Sequence, residues 1–69
     1  MKDGDAMQPH QQRVVDEQKE LQDKIDKLKN FHASAVFIGL APAEQARLFA
    51  QATFMSAYND ILKARIEAF

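Results

Sequence analysis

A chain of 69 residues makes at most one domain, and at that length only roughly 60% of the unfolded surface is removed from water. There is no Cys, so disulfides and thiolate zinc sites are both excluded, and a scaffold this small is left with association between copies as its source of extra stability. The net charge of -1 argues against duplex DNA or RNA as a partner, since such binders carry a clustered basic excess.

The first residues, MKDGDA, are polar and read as part of a flexible N-terminal extension over 1–8, with Met7 an alternative start. They do not resemble a secretory leader. The single domain spans 9–69. Pro9 suits the first turn of a helix, where its missing N–H costs nothing. From there to about Ala35 a heptad seam runs through Val14, Gln18, Leu21, Ile25, Leu28, His32 and Ala35, apolar except at Gln18 and His32. Charges of both signs fill the other faces, with Glu20–Lys24 and Asp23–Lys27 at the spacing that supports an exposed helix.

Ser34 to Pro42 breaks the pattern: Gly39 tolerates turn angles and Pro42 can only begin a helix. The second helix has Ala41 at its cap position, with no side-chain oxygen to offer, and Glu44 in its first turn. Its seam is Leu48, Ala52, Met55, Asn59, Leu62, Ile66 and Phe69. Two seams joined by a short connection predict an all-α fold, an antiparallel two-helix hairpin. The longest apolar run, Ala33 to Ala43, is too short for a membrane span.

The second helix carries a further ridge of Arg47, Gln51, Phe54, Tyr58, Ile61 and Arg65. Seam and ridge together cover well over half the circumference, more than one partner helix can bury. Only Glu44 and Arg47 are charged between Asn30 and Asn59. The surplus surface predicts a homo-oligomer.

Chemistry is sparsely represented. Ser34 and Ser56 lack evident His and acid partners, the two glycines cannot build a phosphate loop, and His10 and His32 show no metal-ligand spacing. The chain therefore reads as no enzyme, with no cofactor and no metal. Two groups could bind an anion. On the ridge, Tyr58 and Arg65 could stack on a base and grip a phosphate, although aromatic stripes at helical spacing are more commonly packing. On the first helix, Pro9, His10, Arg13 and Lys24 gather two cations and an imidazole. Glu17 and Glu20 lie near that line and make a neutralised surface strip the blander reading. His32, on the seam, reads as a hydrogen-bonded core histidine.

The run "QPHQQRVVDEQKELQDKIDKLKNF", followed by Phe37, Leu40, Glu44, Leu48, Gln51, "MSAY", Leu62 and "RIEAF", resembles the phage family of small helical hairpins that includes the anti-CBASS nucleotide sponge and the Thoeris anti-defence sponge. P-H-x-x-R-V, L-x-x-K-I and M-x-x-Y-x-x-x-L-x-x-R-I occur in order from about Gln8 to Phe69. The resemblance implies a non-enzymatic hexamer in the cytoplasm of an infected bacterium, sequestering cyclic oligonucleotide immune signals such as cyclic GMP-AMP. It implies Pro9, His10, Arg13 and Lys24 at a cyclic dinucleotide pocket, and Tyr58 and Arg65 at a cyclic trinucleotide pocket. His32 and Ala41 depart from the family pattern, which favours an apolar residue and a capping Asp there. The reading from another class is a helical oligomerisation or adaptor module whose apolar face binds a protein.

Overall fold

The computed structural model describes residues 7–69, so Met1 to Ala6, most of the expected N-terminal extension, lie outside the described residues. Three helices follow in order: α1 (Pro9–His32), α2 (Ala35–Ile38) and α3 (Pro42–Glu67). The two long ones pack antiparallel along their seams, giving a rod of 52 × 16 × 14 Å, two helices thick.

Gln8 caps α1 rather than trailing from it. Its backbone N–H donates to Gln11 Oε1 at 2.9 Å, and Pro9 takes the first helical position. Three turns of seam then go under cover: Val14, Leu21 and Ile25 are buried against Leu62, which has no exposure at all, with Met55 and Ile66 packed around them. This is a thin core, as the chain length requires. The seam reading holds over Val14 to His32 and Leu48 to Ile66. It fails at its ends, where Ala35 and Phe69 are exposed.

The connection is more ordered than a turn. α1 stops at His32, and the Ser34 hydroxyl serves both sides of the break: it donates to the Phe31 carbonyl at 2.6 Å and accepts from the Phe37 N–H at 3.3 Å. One side chain thus closes α1 and opens α2. Phe37, the single buried residue of α2, tucks under the hairpin tip. Gly39 has φ -80, an ordinary right-handed value, so its expected role as a residue of special backbone angles is not used.

Ala41 leaves the start of α3 without a side-chain cap, as expected. Gln45, one turn in, instead ties α3 to the tip: its Nε2 donates at 2.9 Å to the carbonyl of Phe37, which also accepts from the Leu40 N–H, and at 3.3 Å to the carbonyl of Ile38 at the end of α2.

Candidate functional site

Asn59 is polar and only 4% exposed in the middle of the α1–α3 seam. Gln18 Nε2 donates to its Oδ1 at 3.1 Å, and its own Nδ2 donates to Gln22 Oε1 at 2.9 Å. Both ends of the amide are therefore used, and Asn59 is held between two glutamines one turn apart on α1. That sets the axial register of the hairpin. Gln18 and Asn59 are visible in the sequence as polar positions on otherwise apolar seams; Gln22, off the seam, gives no such signal.

This register places the candidate ligand residues. Pro9, His10 and Arg13 lie in the first turns of α1, at the open end of the hairpin, all exposed. Lys24 is also exposed, but eleven residues beyond Arg13 and hence about 16 Å further along the axis. A single subunit therefore does not bring Lys24 to the other three. Counting from Asn59 between Gln18 and Gln22, Arg65 sits at about the height of Val14, beside the turn that carries Arg13. Tyr58 sits about 10 Å away, near the middle of the rod. The two sets, assigned to separate pockets, thus come level at one end of the molecule through Arg13 and Arg65 alone, with Lys24 and Tyr58 further along the rod.

The cations are available. Among the described residues the ion pairs are Asp23–Lys27 at 3.0 Å and Glu44–Arg47 at 2.8 Å, neither of which engages Arg13, Lys24 or Arg65. The expected Glu20–Lys24 pair does not close. Arg47 is paired within its own helix by Glu44. Tyr58 and its ridge neighbours Phe54 and Ile61 are exposed, Phe54 at 73%.

At the other end of the rod, His32 lies among aromatics, its ring centroid 4.8 Å from both Phe37 and Phe49, with Phe31 edge-on to Phe37 at 6.1 Å. Its Nε2 is buried without a hydrogen-bond partner among the described residues. The expectation of a hydrogen-bonded core histidine is corrected at this atom, which is packed between the Phe37 and Phe49 side chains.

A helical hairpin with exposed cations at the start of α1 and an uncovered ridge on α3 matches one family model, Sequestin, over residues 8–68. The chain belongs to the Sequestin family. That span takes in all three helices and every candidate ligand residue, and it agrees with the sequence-based recognition of a phage nucleotide-sponge family. The name Sequestin itself denotes sequestration. No curated protein and no solved structure matches the chain. No helix among the described residues is long and apolar enough to cross a membrane.

Proposed function

We infer that this Sequestin is a phage-encoded sponge. It binds cyclic oligonucleotide signals, cyclic dinucleotides such as cyclic GMP-AMP and also cyclic trinucleotides, and withholds them from CBASS-type effectors in the infected cell without cleaving them. The observation that carries the reading is the family match over residues 8–68.

The chemistry of the surface supports it. A cyclic dinucleotide is a compact dianion, and a few arginines or lysines from symmetry-related copies can meet its two phosphates where duplex DNA would need a broad basic face. Arg13 and Lys24 are about 16 Å apart along the axis of α1, so a site using both on one compact ring takes them from different copies; a homo-oligomer, a hexamer on the family pattern, meets that need. A sponge must also outcompete an effector, and nanomolar affinity corresponds to about -12 kcal/mol, which asks for an enclosed, pre-formed site between rigid elements.

The test is a panel of cyclic di- and trinucleotides added to purified protein. A ligand at 100 times its dissociation constant stabilises by about 2.7 kcal/mol, which for a chain of this size is about 10–20 °C in melting temperature. Such a shift, with intact ligand released on denaturation, fits a sponge. No shift with any ring favours an adaptor that binds a protein through the apolar face, and recovery of linearised product means an enzyme.

A further inference from the structure

The polar contacts of the seam do not end at Gln22. Its Nε2 donates onward to Asp26 Oδ1 at 3.0 Å, so hydrogen bonds run head to tail from Gln18 through Asn59 and Gln22 to an acid on the surface of α1. All of them point the same way. Gln12 makes the same kind of bond to Asp16 at 2.9 Å, but both residues lie on the exposed face of α1, and among the described residues no bond carries on from them to α3.

A carboxamide has an acceptor at one end and donors at the other in nearly the same shape, so its partners, not its packing, fix which way it points. Within Gln18, Asn59 and Gln22 alone the chain closes in either direction, because turning all three over again gives each contact one donor and one acceptor. A carboxylate breaks that tie, since it only accepts. Against Asp26, Gln22 must present its NH2. Its Oε1 is then left for Asn59, which must present Nδ2, and the Asn59 Oδ1 is left for Gln18, which must present Nε2. The bonds follow this order at every contact. Asp26 is exposed and pairs with no cation among the described residues.

We infer that Asp26 sets the direction of this amide chain, an exposed acid on α1 deciding which way a buried asparagine on α3 points. The device is reversible. A side chain at 26 that only donates turns Gln22 over to offer Oε1, and the change passes through Asn59 to Gln18, with every contact remade in the opposite sense. Positions 18 and 26 are about 12 Å apart along the axis and do not touch, yet the chain couples them: a group that only accepts at one end calls for a donor at the other. The inference concerns the hairpin itself and needs no ligand, so it stands or falls apart from the sponge reading.

The test uses the full chain, isotopically labelled, in nuclear magnetic resonance. In the wild type the Asn59 side-chain amide protons are expected to show their strongest Overhauser contacts to the Gln22 side chain. In Asp26→Lys those contacts are expected to move to the Gln18 side chain, with the melting temperature changed by no more than about 4 °C, as for an ordinary surface substitution. Contacts that stay on Gln22 overturn the proposal. Stability supplies a second measurement. Gln18→Glu places an acceptor at the start of the chain, in conflict with Asp26, and its combination with Asp26→Lys is expected to melt about 4 °C or more above the sum of the two single effects. In 1 M salt, where charges are screened beyond about 3 Å, this coupling is expected to persist, and adding Gln22→Met, which interrupts the chain, is expected to abolish it. No coupling, a coupling lost in salt, or one that survives Gln22→Met overturns the proposal too.

Discussion

Asn59 Nδ2 on α3 donates to Gln22 Oε1 on α1 at 2.9 Å, across a seam that is otherwise apolar. With Gln18 on its other side, Asn59 can satisfy both polar atoms only in one axial position of the two helices. Asn59→Ala leaves two glutamines facing a gap and is expected to cost about 1–3 kcal/mol, the penalty for orphaned, partly buried polar groups. In a chain of this size that is a melting temperature lower by at least about 4 °C. A double variant, Gln18→Leu with Asn59→Leu, is expected to recover most of the stability, since apolar groups of similar volume suit the seam, while losing the single register. Amide spectra with one set of peaks in the double variant would show that register is set elsewhere.

His32 supplies a test of opposite sign. Its Nε2 is buried and unpartnered beside Phe37 and Phe49, a desolvated polar atom with nothing in return. His32→Leu keeps the packing against the two rings and removes the orphan, so the melting temperature is expected to rise, by an amount corresponding to about 1 kcal/mol or more. A fall instead would mean that the assembled protein brings a hydrogen-bond partner to the nitrogen.

How far the sequence could be read depends on what each residue interacts with. Long-period features were legible: both helices, the seams and the uncovered ridge follow from spacing alone, because an apolar stripe has one physical use at a time. The tip was not. α2 is one turn long, too short to show a period, and depends on the Ser34 hydroxyl and on Gln45 eight residues beyond Phe37, a contact made in three dimensions. The candidate cations were legible as residue types but not as a site, since Arg13 and Lys24 meet nothing in their own chain that would reveal a shared target.

Gln45 is the prediction that follows for the tip. Its amide donates to the carbonyls of Phe37 and Ile38, and Ala at 45 would leave Ile38 to water and Phe37 with the Leu40 N–H alone. Gln45→Ala is expected to cost about 0.5–1.5 kcal/mol. The loss is local: amide hydrogen exchange should accelerate in 35–40 while the buried seam around Leu62 stays protected. Uniform acceleration across α1 and α3 would show that the tip and the seam unfold as one unit.

Gly39 gives the converse case of a residue free to change. Its backbone is right-handed, and a Cβ there would meet only the Val36 carbonyl at 3.5 Å and the Ala35 carbonyl at 3.8 Å, ordinary contact distances. Gly39→Ala narrows the unfolded ensemble without straining the folded one and is expected to stabilise by about 0.4–1 kcal/mol, read in a denaturant titration. Destabilisation would place a neighbouring copy against the tip.

The cations test the site itself. A charge-assisted hydrogen bond to phosphate contributes about 1.5–3 kcal/mol, so removing one weakens binding roughly ten-fold or more. In a two-fold site one substitution deletes the contact twice. Arg13→Ala and Lys24→Ala are therefore expected to weaken cyclic dinucleotide binding by about two orders of magnitude, measured by calorimetry, with the assembled mass unchanged in light scattering. Arg65→Ala is expected to spare dinucleotides and weaken trinucleotides. The register of the hairpin makes this last comparison decisive, because Arg65 stands at nearly the height of Arg13. If Arg65→Ala weakens both classes of ring alike, the two arginines serve one pocket, and the separation into a dinucleotide site on α1 and a trinucleotide site on α3 fails. If none of the three variants changes affinity for any ring that binds, the phosphates are met by other groups and the assignment of Pro9, His10, Arg13 and Lys24 falls with it.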